Sequence, residues 1–510
     1  MDFYNVRVHI IGIGGIGVSG LARFLKAQGA IVSGSDIVQT TITQGLQKEG
    51  IDINIPHAKD AIANKDIIIH SAIIKDSNIE IKESKKLNKT ILSRKEALKI
   101  LLKNKQVLSI CAAHGKSSTS AILSAILKDS GAIIGAISKE LQSNVRVSAD
   151  KILVFEADES DKSFLNSNPY KSIIINAEAE HLESYENSFA KLKQAYKEFI
   201  YLSKEAIVNM ECESVREIID DIESSTNQNI VNTATTNHSN IDSNMPKITR
   251  LYPSRDIHNI SYILQDGLPY TNFNLRDLGQ FQVYGIGWHN ALNASMAILS
   301  SLDLIPLDLI KKNLLNFIGI KKRFDILQHL IQDAQSKQVL KSINQDIHLS
   351  QEKLQQKLAN ITKIPCIIDD YAHHPTEIKA TLNAARVYAS LLEEVNNTNK
   401  DSFRSLHITA IFQPHKYSRL RDNIDAFRAC FDDCDSLVIL PVWAAGEQKI
   451  DFDFARLFGH YKPIFANHIK RFGNHVALID KDDNTICIID SDIIIGLGAG
   501  DITYQLRGEK

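Results

Sequence analysis

The sequence predicts an α/β protein of three parallel-sheet units, and three observations carry that expectation. Apolar runs of strand length alternate with amphipathic helical stretches along most of the chain. A small-residue turn stands between strand and helix at 12–17 and again at 112–119. A chain of 510 residues is also too long for one hydrophobic core, so about two to four domains are expected.

In the N-terminal unit, VRVHIIGIG (6–14) reads as a buried strand because it is almost continuously apolar. A helix follows over 18–28, then strands at AIVSGSD (30–36) and DIIIHSAI (66–73). The second unit opens with VLSIC (107–111) as a strand and 116–128 as a helix. That helix has an apolar stripe at Ile122, Ile126 and Leu127, and Gly131 serves as its stop. ILVFEAD (152–158) and SIIIN (172–176) are further buried strands. The third unit has strands at IPCIIDDY (364–371), HITAIFQ (407–413), SLVILPV (436–442) and DIIIGLGAGD (492–501). Pro375 starts its long helix, where a missing N–H costs nothing. Residues 211–247 are rich in Ser, Thr, Asn and Asp, and most of them read as a surface excursion that cannot bury a core. Residues 331–362, rich in Gln and Lys, read as an exposed helical hairpin or loose helix.

The composition excludes several function classes. Sixty acidic side chains balance 58 basic ones, for a formal net charge of -2, so no footprint for nucleic acid or an anionic membrane is expected. No apolar run reaches the roughly 18 residues of a membrane span, and the N-terminus lacks a signal-peptide pattern. Six scattered cysteines form neither a disulfide framework nor a zinc pattern. The expectation is a cytoplasmic protein, monomeric or weakly homodimeric.

Gly12, Gly14, Gly15 and Gly17 sit between strand and helix, and Asp36 ends the next strand. Small residues there let the backbone approach a phosphate at a helix N-terminus. The pattern does not separate a nicotinamide dinucleotide from another nucleotide diphosphate. The second turn, Ala112-Ala113-His114-Gly115-Lys116-Ser117-Ser118-Thr119, points to ATP. Lys116 has the reach for β- and γ-phosphates and Ser117 the hydroxyl for Mg²⁺. Ile110 stands where the strict motif has its first glycine. Acidic clusters follow two strands of this unit: Glu156, Asp158, Glu159 and Asp161, then Glu178 and Glu180 with His181. Such oxygen donors at strand ends suit Mg²⁺, and a histidine can complete a second metal's shell.

Together these residues resemble the Mur ligase family. GIGGIGVSG, SGSD (33–36) and SAIIKDSNIE (71–80), followed by Arg94, are similar to its UDP-sugar domain. AHGKSST, EADESDKSFL and NAEAEHLESY resemble its ATPase domain. GWHNALN (287–293) resembles its adenine-contacting segment and IGIKKRFD (318–325) its domain junction. IIDDYAHHPTEI (367–378), FQPHKYSRLRD (412–422), LPVWAAGE (440–447) and GAGDIT (498–503) resemble its C-terminal domain. The resemblance spans nearly the whole chain outside the two insertions.

The resemblance implies a Rossmann-like UDP-sugar domain (1–104), a central P-loop ATPase-like domain (105–322) and a Rossmann-like C-terminal domain (323–510) that closes on ATP and the amino acid. It implies a ligase that makes an amide bond through an acyl phosphate, using ATP and Mg²⁺. FQPHKYSRLRD favours UDP-N-acetylmuramate and L-alanine as substrates, in peptidoglycan precursor synthesis. The alternatives are a recycling ligase that attaches a tripeptide to the same sugar and a non-catalytic UDP-sugar-binding relative.

By the same resemblance, Lys116, His373, Lys416 and Arg419 are catalytic. Ala112, Ala113, His114, Gly115, Ser117, Ser118, His289, Asn290, Arg323 and Asp370 contact ATP. Gly12, Gly14, Gly15, Gly17, Ser35, Asp36, Ser71, Tyr371 and His415 contact substrate. Ser117, Glu156 and His181 hold metal. The sequence departs from the family at Ala112 and Ala113, where glycine and threonine are usual, and at Trp288 and Lys416, where arginine is. Lysine lacks arginine's planar fork for a carboxylate.

Overall fold

The computed structural model describes residues 3–71, 73–160, 162–233, 245–330, 364–396 and 405–509. The stretch 331–362, read above as a hairpin, and Asp161 lie outside them. The chain divides into two compact units. One comprises Met1–Ser261, Asn272–Val283 and Trp288–Gly319, the other Tyr262–Thr271, Tyr284–Gly287 and Ile320–Lys510.

Among the described residues, two sheets lie wholly within the first unit. In the N-terminal sheet, Arg7–Ile11 lies between the parallel strands Ile31–Ser35 and Ile67–His70. Asp52–Asn54 and Thr90–Ser93 complete the edges, also in parallel. The central strand is buried along Val8, Ile10 and Ile11, as its near-continuous apolar run requires. In the larger sheet, Gln106–Cys111 lies between Ile152–Glu156 and Pro169–Ile174, all parallel. Seven strands form it, and only the edge strand Ser143–Arg146 runs antiparallel. In both sheets the glycine-bearing turn leaves a strand whose two neighbours lie on opposite sides. That arrangement opens a crevice beyond the strand's carboxyl end.

The second unit has a six-stranded sheet in which Ile493–Leu497 lies between Cys366–Asp370 and Ile408–Phe412 in parallel. Asp325–Gln328 adds an antiparallel edge. The helix Pro375–Asn396 begins at its proline, as the sequence predicts. Arg507 bridges buried Asp325 and Asp369, tying the last helix to two strands. Among the described residues, no helix is long and apolar enough to cross a membrane.

One reading needs correction. The stretch 211–247 is not a surface excursion throughout: Glu213–Thr233 is a helix and Lys247–Leu251 a strand. Its Ser/Asn-rich composition masks an apolar i, i+3, i+4, i+7 stripe. Val215, Ile218, Ile219 and Ile222 are all buried in the main core of the unit. Ile219→Ala is therefore expected to destabilise the first unit by about 2–4 kcal/mol, read as faster amide exchange across that unit. A change under about 0.5 kcal/mol would mark the helix as peripheral.

Candidate active site

The N-terminal turn is built from backbone groups. Gly12 has φ +78, which a side chain would strain, and its N–H donates to the Ser35 carbonyl at 2.8 Å. The Asp36 carboxylate accepts the Gly14 N–H at 2.8 Å and the Ile37 N–H at 2.7 Å. A Cβ on Gly17 would stand 2.9 Å from the Arg94 guanidinium, and one on Gly12 would stand 3.1 Å from Ser71. The glycines, Asp36, Ser71 and Arg94 thus converge on one loop. Ser35 does not join them: it is fully buried, and its hydroxyl donates to Glu80 at 2.6 Å. The same hydroxyl lies 2.8 Å from His57 Nδ1, so the Ser35 side chain is engaged by Glu80 and His57.

The second turn has a similar architecture. Gly115 adopts φ +87, and a Cβ there would lie 2.7 Å from the Asn293 side-chain oxygen. Glycine is thus required for both conformation and space. The turn opens the helix Lys116–Ile126, against which Trp288–Ser301 packs, placing His289 and Asn290 at that second helix's start. Ala112 is fully buried, and its carbonyl accepts from Lys116. Asn176 holds the loop at His114, accepting its N–H at 2.9 Å and donating to its carbonyl at 3.0 Å. Lys116 Nζ donates to the Ala112 carbonyl at 2.5 Å and to the Glu159 carboxylate at 2.8 and 2.9 Å.

Glu156 meets Ser117, whose hydroxyl donates to it at 2.9 Å, and accepts the Gly135 N–H at 2.6 Å. Burial raises its pKa, so this carboxylate gains most from a nearby cation. Two hard oxygen groups side by side fit Mg²⁺. His181 is half exposed, with Nδ1 3.6 Å from Glu183. Among the described residues, the histidine grouped with two acids is His114, with Nε2 3.6 Å from Glu178 and 3.4 Å from Glu180.

In the second unit, Tyr371, His373, His415 and Arg419 form one cluster. The rings of Tyr371 and His373 lie 5.1 Å apart, and those of His373 and His415 lie 5.7 Å apart. Arg419 contacts His415 Nδ1 at 3.3 Å, and Arg323 lies over the Tyr371 ring at 5.7 Å. Burial first, then the Arg419 charge, takes both imidazoles down to about 4, so both are neutral near pH 7. Lys416 holds φ +69, a left-handed conformation costing a side-chain residue about 1 kcal/mol or more, with its N–H fixed on the Trp443 carbonyl at 2.9 Å. Asp370 is buried, and burial raises it to about 6. Its oxygens accept the Phe324 and Ala372 N–H groups at 2.6 and 2.8 Å.

Sequence reasoning missed the roles of Glu159 and Asn176 at the loop. Both lie in acidic or polar clusters just past strands, but their partners are set by strand order rather than by spacing.

Comparison with known proteins gives consistent matches. Residues 7–106 match the Mur ligase family, catalytic domain, and 113–301 match the Mur ligase middle domain. The chain is 48% identical over 509 residues to UDP-N-acetylmuramate–L-alanine ligase of Helicobacter pylori, covering all of this chain and 98% of that protein. It is 43% identical to the enzyme of the same name from Campylobacter curvus, covering 98% and 99% of the two chains. The crystal structure of UDP-N-acetylmuramate-alanine ligase from Thermotoga maritima shares the fold, with TM-score 0.70 at 21% identity over 98% of this chain and 97% of that one.

The neutral imidazoles carry a pH dependence. With the folded value near 4 and the unfolded value about 6.5, the unfolded chain binds the extra proton between those values, so each histidine destabilises the fold as pH drops through that window. Asp370, raised to about 6, acts in the opposite sense over its own window. The difference between wild type and His373→Gln isolates the histidine. From pH 6.5 to 4.5 wild type is expected to lose on the order of 1 kcal/mol more than the variant, measured by denaturant unfolding. Parallel curves would show that His373 titrates normally.

Proposed function

The chain belongs to the Mur ligase family, and we propose that it joins L-alanine to the carboxylate of UDP-N-acetylmuramate, using ATP, in peptidoglycan precursor synthesis. The observation that carries this reading is the Gly115-Lys116-Ser117 turn facing Glu156 and Glu159, in a chain that aligns end to end with alanine-adding ligases. The proposed domains are 1–104 for the UDP sugar, 105–322 for ATP and 323–510 for the amino acid, and the reaction takes place in the cytoplasm.

A carboxylate is a poor acylating agent until one of its oxygens becomes a good leaving group. In the proposed reaction a carboxylate oxygen of the sugar attacks the γ-phosphorus of ATP, and ADP leaves. The alanine ammonium gives up a proton, its amine nitrogen attacks the acyl carbon, phosphate leaves, and the nitrogen gives up a second proton. Phosphoryl transfer needs mainly positioning and charge neutralisation. Lys116 is the cation for the phosphates. Ser117 and Glu156 would hold Mg²⁺, which supplies further positive charge there when bound, and His181 or the His114 group is the candidate for a second ion. The N–H groups of 113–118 line the phosphate side, with His289 and Asn290 toward adenine and Arg323 and Asp370 as further ATP contacts. The Gly12–Gly17 turn with Asp36 and Ser71 is the sugar-nucleotide side.

On the amino-acid side, Arg419 and Lys416 offer positive charge to the alanine carboxylate. The neutral imidazoles of His373 and His415 stand near them without adding charge against the ammonium. Tyr371 completes that wall.

The test is phosphate release from ATP. Release is expected to require both UDP-N-acetylmuramate and L-alanine and to fall by at least about 10²-fold in Lys116→Ala. Turnover only with a tripeptide would point to the recycling ligase. Tight binding of the UDP sugar without turnover on any amino acid would leave a non-catalytic relative.

A further inference from the structure

The Lys116 ammonium has three N–H donors, and all are engaged within the protein. One faces the Ala112 carbonyl at 2.5 Å, and the others face both oxygens of Glu159 at 2.8 and 2.9 Å. The Lys116 side chain is 17% exposed and that of Glu159 is 3% exposed, so little water screens the pair. A phosphate oxygen can therefore reach Lys116 as a full partner only by replacing one it already has. The carbonyl belongs to the loop itself, which leaves the carboxylate as the group to be replaced.

Glu159 is not free to follow the lysine. Its carbonyl accepts the hydroxyl of Tyr185 at 2.5 Å, and Tyr185 is fully buried. The next carbonyl, on Ser160, accepts the Ser184 hydroxyl at the same distance. These bonds tie the turn after Ile152–Glu156 to the 3₁₀ turn Leu182–Tyr185. Burial also raises the pKa of the Glu159 carboxyl, with the Lys116 charge offsetting part of that. The carboxylate is thus a fixed, poorly solvated anion whose nearest cation is the lysine of the loop.

We propose that Glu159 is a positioning residue that holds Lys116 as an internal stand-in for phosphate, and that nucleotide binding exchanges this carboxylate for β- and γ-phosphate oxygens. This rests on the reading of the loop as an ATP site. The pair keeps the lysine charged and aimed across the loop, and it lowers affinity for any nucleotide whose phosphates must take its place.

The exchange predicts a pattern that a structural role would not produce. Glu159→Gln keeps the shape but removes the charge. By calorimetry at fixed Mg²⁺ and salt, it is expected to bind ATP and ADP about tenfold more tightly than wild type, with AMP unchanged within about twofold, because AMP has no β-phosphate. In a Lys116→Met background the same substitution is expected to shift ATP affinity by less than about twofold, since the effect passes through the lysine. Unchanged ATP affinity in Glu159→Gln, an equal shift for AMP, or a full shift in the Lys116→Met background would overturn the proposal. A wild-type chain that binds neither ATP nor ADP would overturn the reading of the loop as well, which separates the two failures. Should Glu159→Gln not fold, crystal structures of the wild type decide. With a non-hydrolysable ATP analogue bound, the Lys116–Glu159 separation is expected to exceed about 4 Å; a pair still at hydrogen-bond distance would refute the exchange.

Discussion

A parallel sheet delivers all its strand carboxyl ends to one edge, and this constraint places most of the chain's chemically loaded residues. Gly12–Gly17, Asp36 and Ser71 follow Arg7–Ile11, Ile31–Ser35 and Ile67–His70. The Lys116 turn, the Glu156–Glu159 shelf and the Asn176–His181 segment follow three adjacent strands of the central sheet. In the second unit, Tyr371 and His373 follow Cys366–Asp370, and His415 follows Ile408–Phe412. Neighbouring strands bring these short loops together although they are far apart in sequence. The helices that begin there add main-chain N–H groups and partial positive charge to the same edge.

The edge collects charge, and the structure deals with that charge by pairing it. Lys116 is matched to Glu159, Glu80 to Ser35 and His9, and Arg507 to Asp325 and Asp369. An unpaired buried charge would cost several kcal/mol, so such pairs are the condition for keeping ionic groups dry. Where function calls for a group to change partners, as at Lys116, the pair also becomes part of the chemistry. The same reasoning explains how the loop tolerates Ala112 and Ala113. The position that demands a left-handed turn, Gly115, is still glycine, and Asn176 fixes His114 through both main-chain groups.

Much of the fold was legible because strand and helix periodicities are local. The apolar runs at 107–111 and 152–158 are strands in the structure, and the helix over 375–396 starts at its proline. The helix Glu213–Thr233 was hidden because polar composition outweighed a four-residue apolar stripe. The partners of Ser35 were hidden for a different reason: its hydroxyl meets Glu80, on a helix 45 residues away.

The sequence by itself determined the elements, the two glycine turns, the lysine of the second turn and the acid shelf, because each depends on residue type within a few positions. Only the tertiary structure decided which acid faces which base: that Glu159 rather than Glu156 holds Lys116, that His114 rather than His181 joins Glu178 and Glu180, and that His373 and His415 are neutral neighbours. Those assignments depend on strand order and burial. Both are set by how distant segments pack, and so is the electrostatic environment of each group.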